Sequence, residues 1–209
     1  MNVPRHPAAA SLEPTVESRR EDELYFRRLG VAYTLDALLK VLTERKPKTA
    51  LPIACHSLAD QEATEAVPVL KGLVDFPIAD VKASSVLAVA RLAGRAETPW
   101  LIECLSRKGT DKSYVLWALA AVADPLASDA VTKWFEPILR RLERSPAGDP
   151  RGSVIYAVAY LEQVAPVIPR ASALLERFRT VAPSLESLVR LQLAHATHMF
   201  SHWKVKNDV

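Results

Sequence analysis

Cys55 and His56 stand side by side, a thiol next to an imidazole, which is the chemistry of a nucleophile and its base. On a helix, however, adjacent residues point about 100° apart, so the pair cannot address one substrate atom together. Cys55 also falls at a layer-filling position of the repeat described below, and we read it as a small core hydrophobe. The second cysteine, Cys104, is far away in the chain, with no Cys-x-x-Cys or Cys/His metal spacing. His195, His198 and His202 recur at i, i+3 and i+7 and continue a stripe begun by Leu188 and Leu191. His198 and His202 have the i, i+4 spacing of a divalent-metal pair, but no acidic or cysteine ligand stands beside them. We therefore expect no metal and no cofactor. The stripe reads as an end-cap helix, with a pH-sensitive contact surface as the alternative, and His195 stays among the candidate partner contacts. The basic run Arg140, Arg141 and Arg144 reads as a solvated helix face.

Charge narrows the partners further. Twenty-seven cations against 24 anions leave a net charge of +3, a mixed surface rather than the concentrated cationic face of a nucleic-acid domain. Six glycines are too few for the turns of a sandwich or barrel, whereas 15 prolines suit many short helices. No secretory signal opens the chain, and no uncharged stretch reaches the ~20 residues of a membrane span. A reduced, cytoplasmic setting without membrane contact is the expectation.

The elements that must position any site are helices. Residues 1–20 lack sustained apolar periodicity and read as a flexible leader grading into the first helix; 21–209 form one domain. From Leu24 onward the spacing is helical, with breaks at Pro, Gly or Asp. Two patterns then repeat. Pro68, Pro99 and Pro137, each followed two residues later by Leu (Leu70, Leu101, Leu139), lie 31 and 38 residues apart. Residues 85–92, 115–122 and 154–161 align with steps of 30 and 39, and an earlier copy, 51–58, precedes them by 34. The two patterns share the same uneven steps, so the repeat is real. Each unit pairs a Pro-x-Leu helix with one carrying Ala88, Ala118 or Ala157 at the close contact and Val89, Leu119 or Val158 as layer fillers. The expected map is a first helix near 21–45. Inner helices follow near 49–59, 81–94, 112–124, 151–164 and 184–203, and outer ones near 62–75, 98–107, 128–144 and 168–181.

Asp80, Val81 and Lys82, followed by Ser85, Ala88, Val89 and Leu92, resemble the second helix of a HEAT repeat, whose pattern is Asp-x-Val-Arg or similar and then Ala and Ala-Leu at helical spacing. Residues 65–94 match best. The next two units lose the Val-Arg pair, with Asp111-Lys112 and Asp149-Pro150-Arg151 in its place, and the resemblance covers roughly 47–182. It implies an all-α chain, a right-handed α-solenoid of about four to five antiparallel helical hairpins, and leaves function open.

In such an array the second helices line the concave wall. The outward column there runs through Ile53, Leu87, Trp117 and Tyr156, with Tyr114 one turn earlier and Arg91 and Tyr160 one turn later. Leu87, Arg91, Tyr114, Trp117, Tyr156 and Tyr160 thus form an expected partner-binding ridge of the residue types that carry hot-spot energy. The alternative is that these aromatics close gaps in a tightly curved array. With no nucleophile, phosphate-loop or metal constellation, the leading expectation is a non-enzymatic module gripping one protein partner, such as a bacterial adaptor or toxin-neutralising immunity protein. His-Glu dipeptides, the ligands of HEAT-like di-iron hydroxylases, are absent. A HEAT-like alkylpurine DNA glycosylase is the runner-up, with Tyr114 and Trp117 as aromatic walls and Asp111 or Asp124 as the carboxylate. The few inner cations, Lys82, Arg91, Lys112 and Arg151, speak against it. A small-ligand HEAT protein of the chromophore-lyase kind comes third.

Overall fold

Proline sets the grain of the chain. With φ already near its helical value and no N–H to lose, it occupies the first turn of helices at Pro52, Pro68, Pro99 and Pro169. The computed structural model describes residues 16–145 and 152–185, and among these every regular element is helical. In order they are α1 (Val16–Arg28), α2 (Leu35–Glu44), α3 (Leu51–Asp60), α4 (Val67–Lys71), α5 (Ala79–Ala93), α6 (Thr98–Ser106), α7 (Lys112–Val122), α8 (Ser128–Arg144), α9 (Gly152–Val164) and α10 (Pro169–Val181), several preceded by a short 3₁₀ turn. Among the described residues no helix is long and apolar enough to cross a membrane.

Most expected helices are found within a few residues of their places; the exceptions have local causes. The first helix is broken in two. Gly30 takes φ +70°, and the Val31 and Gly30 N–H groups donate to the Phe26 and Arg27 carbonyls, a left-handed cap that stops α1. Pro137 does not open a helix as Pro68 and Pro99 do: it lies inside α8, whose start is set by the Asp124–Pro125 turn before it. The leucines of that motif, Leu70, Leu101 and Leu139, are nevertheless all buried. The helix expected over 184–203 falls almost wholly outside the described residues.

Packing follows chain order. In one row α3 lies on α5, α5 on α7 and α7 on α9, while α2, α4, α6 and α8 flank it and α10 packs on both α8 and α9. The row can be tight because its contact positions are small: Ala54, Ser85, Ala88, Ala118, Ala120 and Ala157 have no exposed surface. Apart from Lys112, which bonds the nearby Cys104 and Arg107 carbonyls, many side-chain hydrogen bonds between elements among the described residues join residues 26 to 43 apart, about one repeat step.

Candidate functional site

After its first turn α7 is apolar all round, and Val115–Val122 are buried without exception. A helix with no polar face is an interior helix. This overturns the expected exposure of the ridge. Leu87 is 5%, Trp117 7%, Tyr156 9% and Tyr160 0% exposed, so these four are largely core. Trp117 and Tyr156 stack face to face across α7 and α9, with ring centroids 5.6 Å apart and an 8° interplanar angle. The column counted as outward is closed by its own aromatics, because flat rings fill the space between adjacent row helices better than they leave it open. Tyr160 donates its hydroxyl to the Asp124 carbonyl at 2.7 Å, and burial drives its ionisation well above the usual phenol range.

Two members of the ridge keep partial exposure. Arg91 is committed: its Nη1 sits 2.6 Å from Asp60 Oδ1. Tyr114, half-buried at the first turn of α7, is the aromatic left at the surface. Burial raises its ionisation, and the carboxylates of Asp111 and then Asp80 add to the shift. Tyr114 is therefore the partly open remnant of the ridge. Asp111 and Asp124, the carboxylates weighed for glycosylase chemistry, serve as helix caps, accepting the Ser113 and Leu126 N–H groups at 2.8 and 3.0 Å. His195, with His198 and His202, lies outside the described residues.

Beneath α1 the structure gathers polar groups that the residue pattern did not single out. Ser84 Oγ and His56 Nε2 are 3.0 Å apart, joining α5 to α3. Ser57 donates to Asp22 Oδ2 at 2.9 Å, fastening α1 onto α3. Burial lowers the His56 basicity, opposed by Asp60 and reinforced by Arg91, so the imidazole is neutral at neutral pH. Burial also raises Asp22, against the Ser57 hydrogen bond and with help from Asp60 and Glu21. Ser84 is buried in the middle of α5, and the carboxylate nearest the pair is held by Arg91. The arrangement is a polar bond between helices. Ser84 sits one turn before Leu87 in the column read as outward, and only the packed helices bring His56 to it. Cys55, as read from the pattern, is fully buried, with its thiol pushed up to about 12. Among the described residues no three His, Cys, Asp or Glu side chains cluster as metal ligands. Comparison with family models, with curated proteins and with solved structures finds no match to this chain.

Proposed function

We propose that this chain is a right-handed HEAT-like α-solenoid of about four to five antiparallel hairpins, and that it works as a non-enzymatic module holding a protein partner. The observation that carries the reading is neighbour-to-neighbour coupling. The row α3, α5, α7, α9 packs in chain order, and the bonds between elements span about one repeat. A quasi-one-dimensional array, in which each unit touches chiefly its neighbours, accounts for both.

The docking surface in this reading is narrower than the full ridge. It centres on Tyr114 with Asp80 and Asp111 beside it, and the Trp117–Tyr156 stack serves as rigid backing. A tyrosine held by a stiff wall suits a hot spot, because it contributes area and one polar group at little cost in side-chain entropy. Affinity capture from the native cell with wild-type chain and Tyr114→Ala tests it. The protein retained by the wild type is expected to be lost, about 30-fold in affinity, with the variant still fully helical. Retention of the same protein by Tyr114→Ala, or duplex DNA as the sole ligand at low salt, would end this reading.

A further inference from the structure

The column expected to face outward is open at one end of the row and shut along the rest. Ile53 on α3 keeps partial exposure, as does His56 one turn on, whereas Leu87, Trp117 and Tyr156 on α5, α7 and α9 are buried. The Trp117–Tyr156 stack fills the gap between α7 and α9. It does not close α5, where residues 83–90 are buried on every side.

Among the described residues the close packing partners of α7 are α5 and α9 along the row and α6 on one flank. Those of α5 are α3, α7, α4 and the turn before α6, and those of α9 are α7, α8 and α10. These helices account for both row neighbours and the outer flank of each. Residues 115–122 and 153–161 are nevertheless buried all round. A helix without a polar face is closed on its remaining side as well.

The next stretch of chain is placed to reach that side. Leu185 is buried at the end of the turn after α10, and α10 packs on α9, so residues 186–209 start from the shut end of the row. Their sequence carries Val189, Leu193, Ala196, Phe200 and Trp203 at steps of 4, 3, 4 and 3, an apolar stripe of helical spacing. In a helix that stripe measures about 21 Å, and the two steps from α9 to α5 need about 16–20 Å. A cover of this length stops short of α3, where Ile53 is open. Residues 1–15 join α1 instead, which packs on α3.

We propose that residues 189–203 lie as a helix across α9, α7 and α5, an intramolecular strap over Tyr156, Trp117 and Leu87. The chain itself then occupies this face of the row, and Tyr114 stands at the border of the strap. A partner engaging the buried column competes with the segment. The strap holds whether or not Tyr114 meets a partner.

Spin labels on the full chain, read by nuclear magnetic resonance, test the proposal. Cys55 and Cys104 are buried, so an introduced thiol is the one that reacts. Ser187→Cys and Ser201→Cys stand off the apolar stripe, 14 residues or about 21 Å apart along a helix. The Ser201→Cys label is expected to abolish the Trp117 indole signal and to weaken residues 83–90 more than 153–161. Ser187→Cys is expected to give the reverse order, and a label at Ser11→Cys to spare Trp117. An unaffected Trp117 with Ser201→Cys, or the same order of losses from both labels, overturns the strap. Loss of the Trp117 signal with Ser11→Cys assigns the cover to residues 1–15 and also overturns it. The same loss in a mixture of labelled and isotope-enriched chains assigns the cover to a second copy, with the same consequence.

Discussion

The hydroxyl of Tyr160 reaches the backbone carbonyl of Asp124 at 2.7 Å, tying α9 to the turn that leaves α7, 36 residues earlier. Gln163, one turn further along α9, donates to the Ala120 carbonyl at 2.6 Å in the same direction. Gln163 thus satisfies a carbonyl at the end of the neighbouring helix, where a helix has no amide partners of its own, and Tyr160 adds a second donor to a carbonyl that also accepts the Ala127 N–H at 3.1 Å. Tyr160→Phe keeps the ring and removes the bond. Stability is expected to fall by about 1 kcal/mol in urea unfolding, because the hydrogen bond between α9 and the turn is lost while the carbonyl keeps its Ala127 donor. An unchanged midpoint would show that water replaces the hydroxyl.

The Trp117–Tyr156 stack separates core from surface. Trp117→Ala is expected to cost about 3–5 kcal/mol, since it leaves a cavity between α7 and α9. Tyr114→Ala, half-exposed one turn earlier, is expected to cost about 1 kcal/mol. Thermal melts of the two variants decide it: similar losses would mean Tyr114 is as much core as Trp117.

Thiol titration probes the same interior. Cys55 and Cys104 have no exposed surface, and burial pushes their thiols up to about 12 and about 11. The native protein is expected to show no rapidly reacting thiol toward a disulfide reagent at pH 8, and both cysteines are expected to react in denaturant. A fast native thiol would place one of them at the surface.

His56 gives a pH dependence whose sign follows from burial. Its folded-state basicity lies below the ordinary value of 6.5, because the charged ring is shut away from water and Arg91 on α5 opposes it, with only Asp60 in favour. Below about pH 6.5 the unfolded chain takes up a proton that the folded chain refuses, so stability falls as pH drops through this window. Asp22, on α1, is shifted the opposite way, and its effect lies lower, in the range above its ordinary 3.8, where the folded state protonates first. His56→Gln, which retains a hydrogen-bonding partner for Ser84, is expected to flatten the stability profile below about pH 6.5. A profile parallel to the wild type would assign that slope to another group.

α7 ends on a residue whose backbone prefers glycine. Ala123 has φ +51° in the left-handed region, with its N–H donating to the Leu119 carbonyl at 2.8 Å. Ala123→Gly is expected to stabilise the protein by about 0.5–1 kcal/mol, through relief of the Cβ clash less the entropy of a freer unfolded chain. Denaturant unfolding reads the sign directly; a loss of stability would mean the methyl packs well enough to outweigh the strain.

Local chemistry determined a great deal of this molecule. Helical apolar spacing, prolines placed to open helices and the paired repeat steps locate almost every element from α3 to α10, because each of these signals acts within a turn or two of the backbone. The small residues at Ala88, Ala118 and Ala157 likewise mark where helices touch. Exposure was another matter. A run such as Val115–Val122 has no polar side to give it direction, so nothing within it says which column meets water. Only the packed row decided that Trp117 stacks on Tyr156 and that Tyr160 turns inward, leaving Tyr114 half open. The same holds for His56 and Ser84, 28 residues apart. Such juxtapositions depend on the distance and rotation between helices, which the summed volumes of many buried side chains set together and no local pattern encodes.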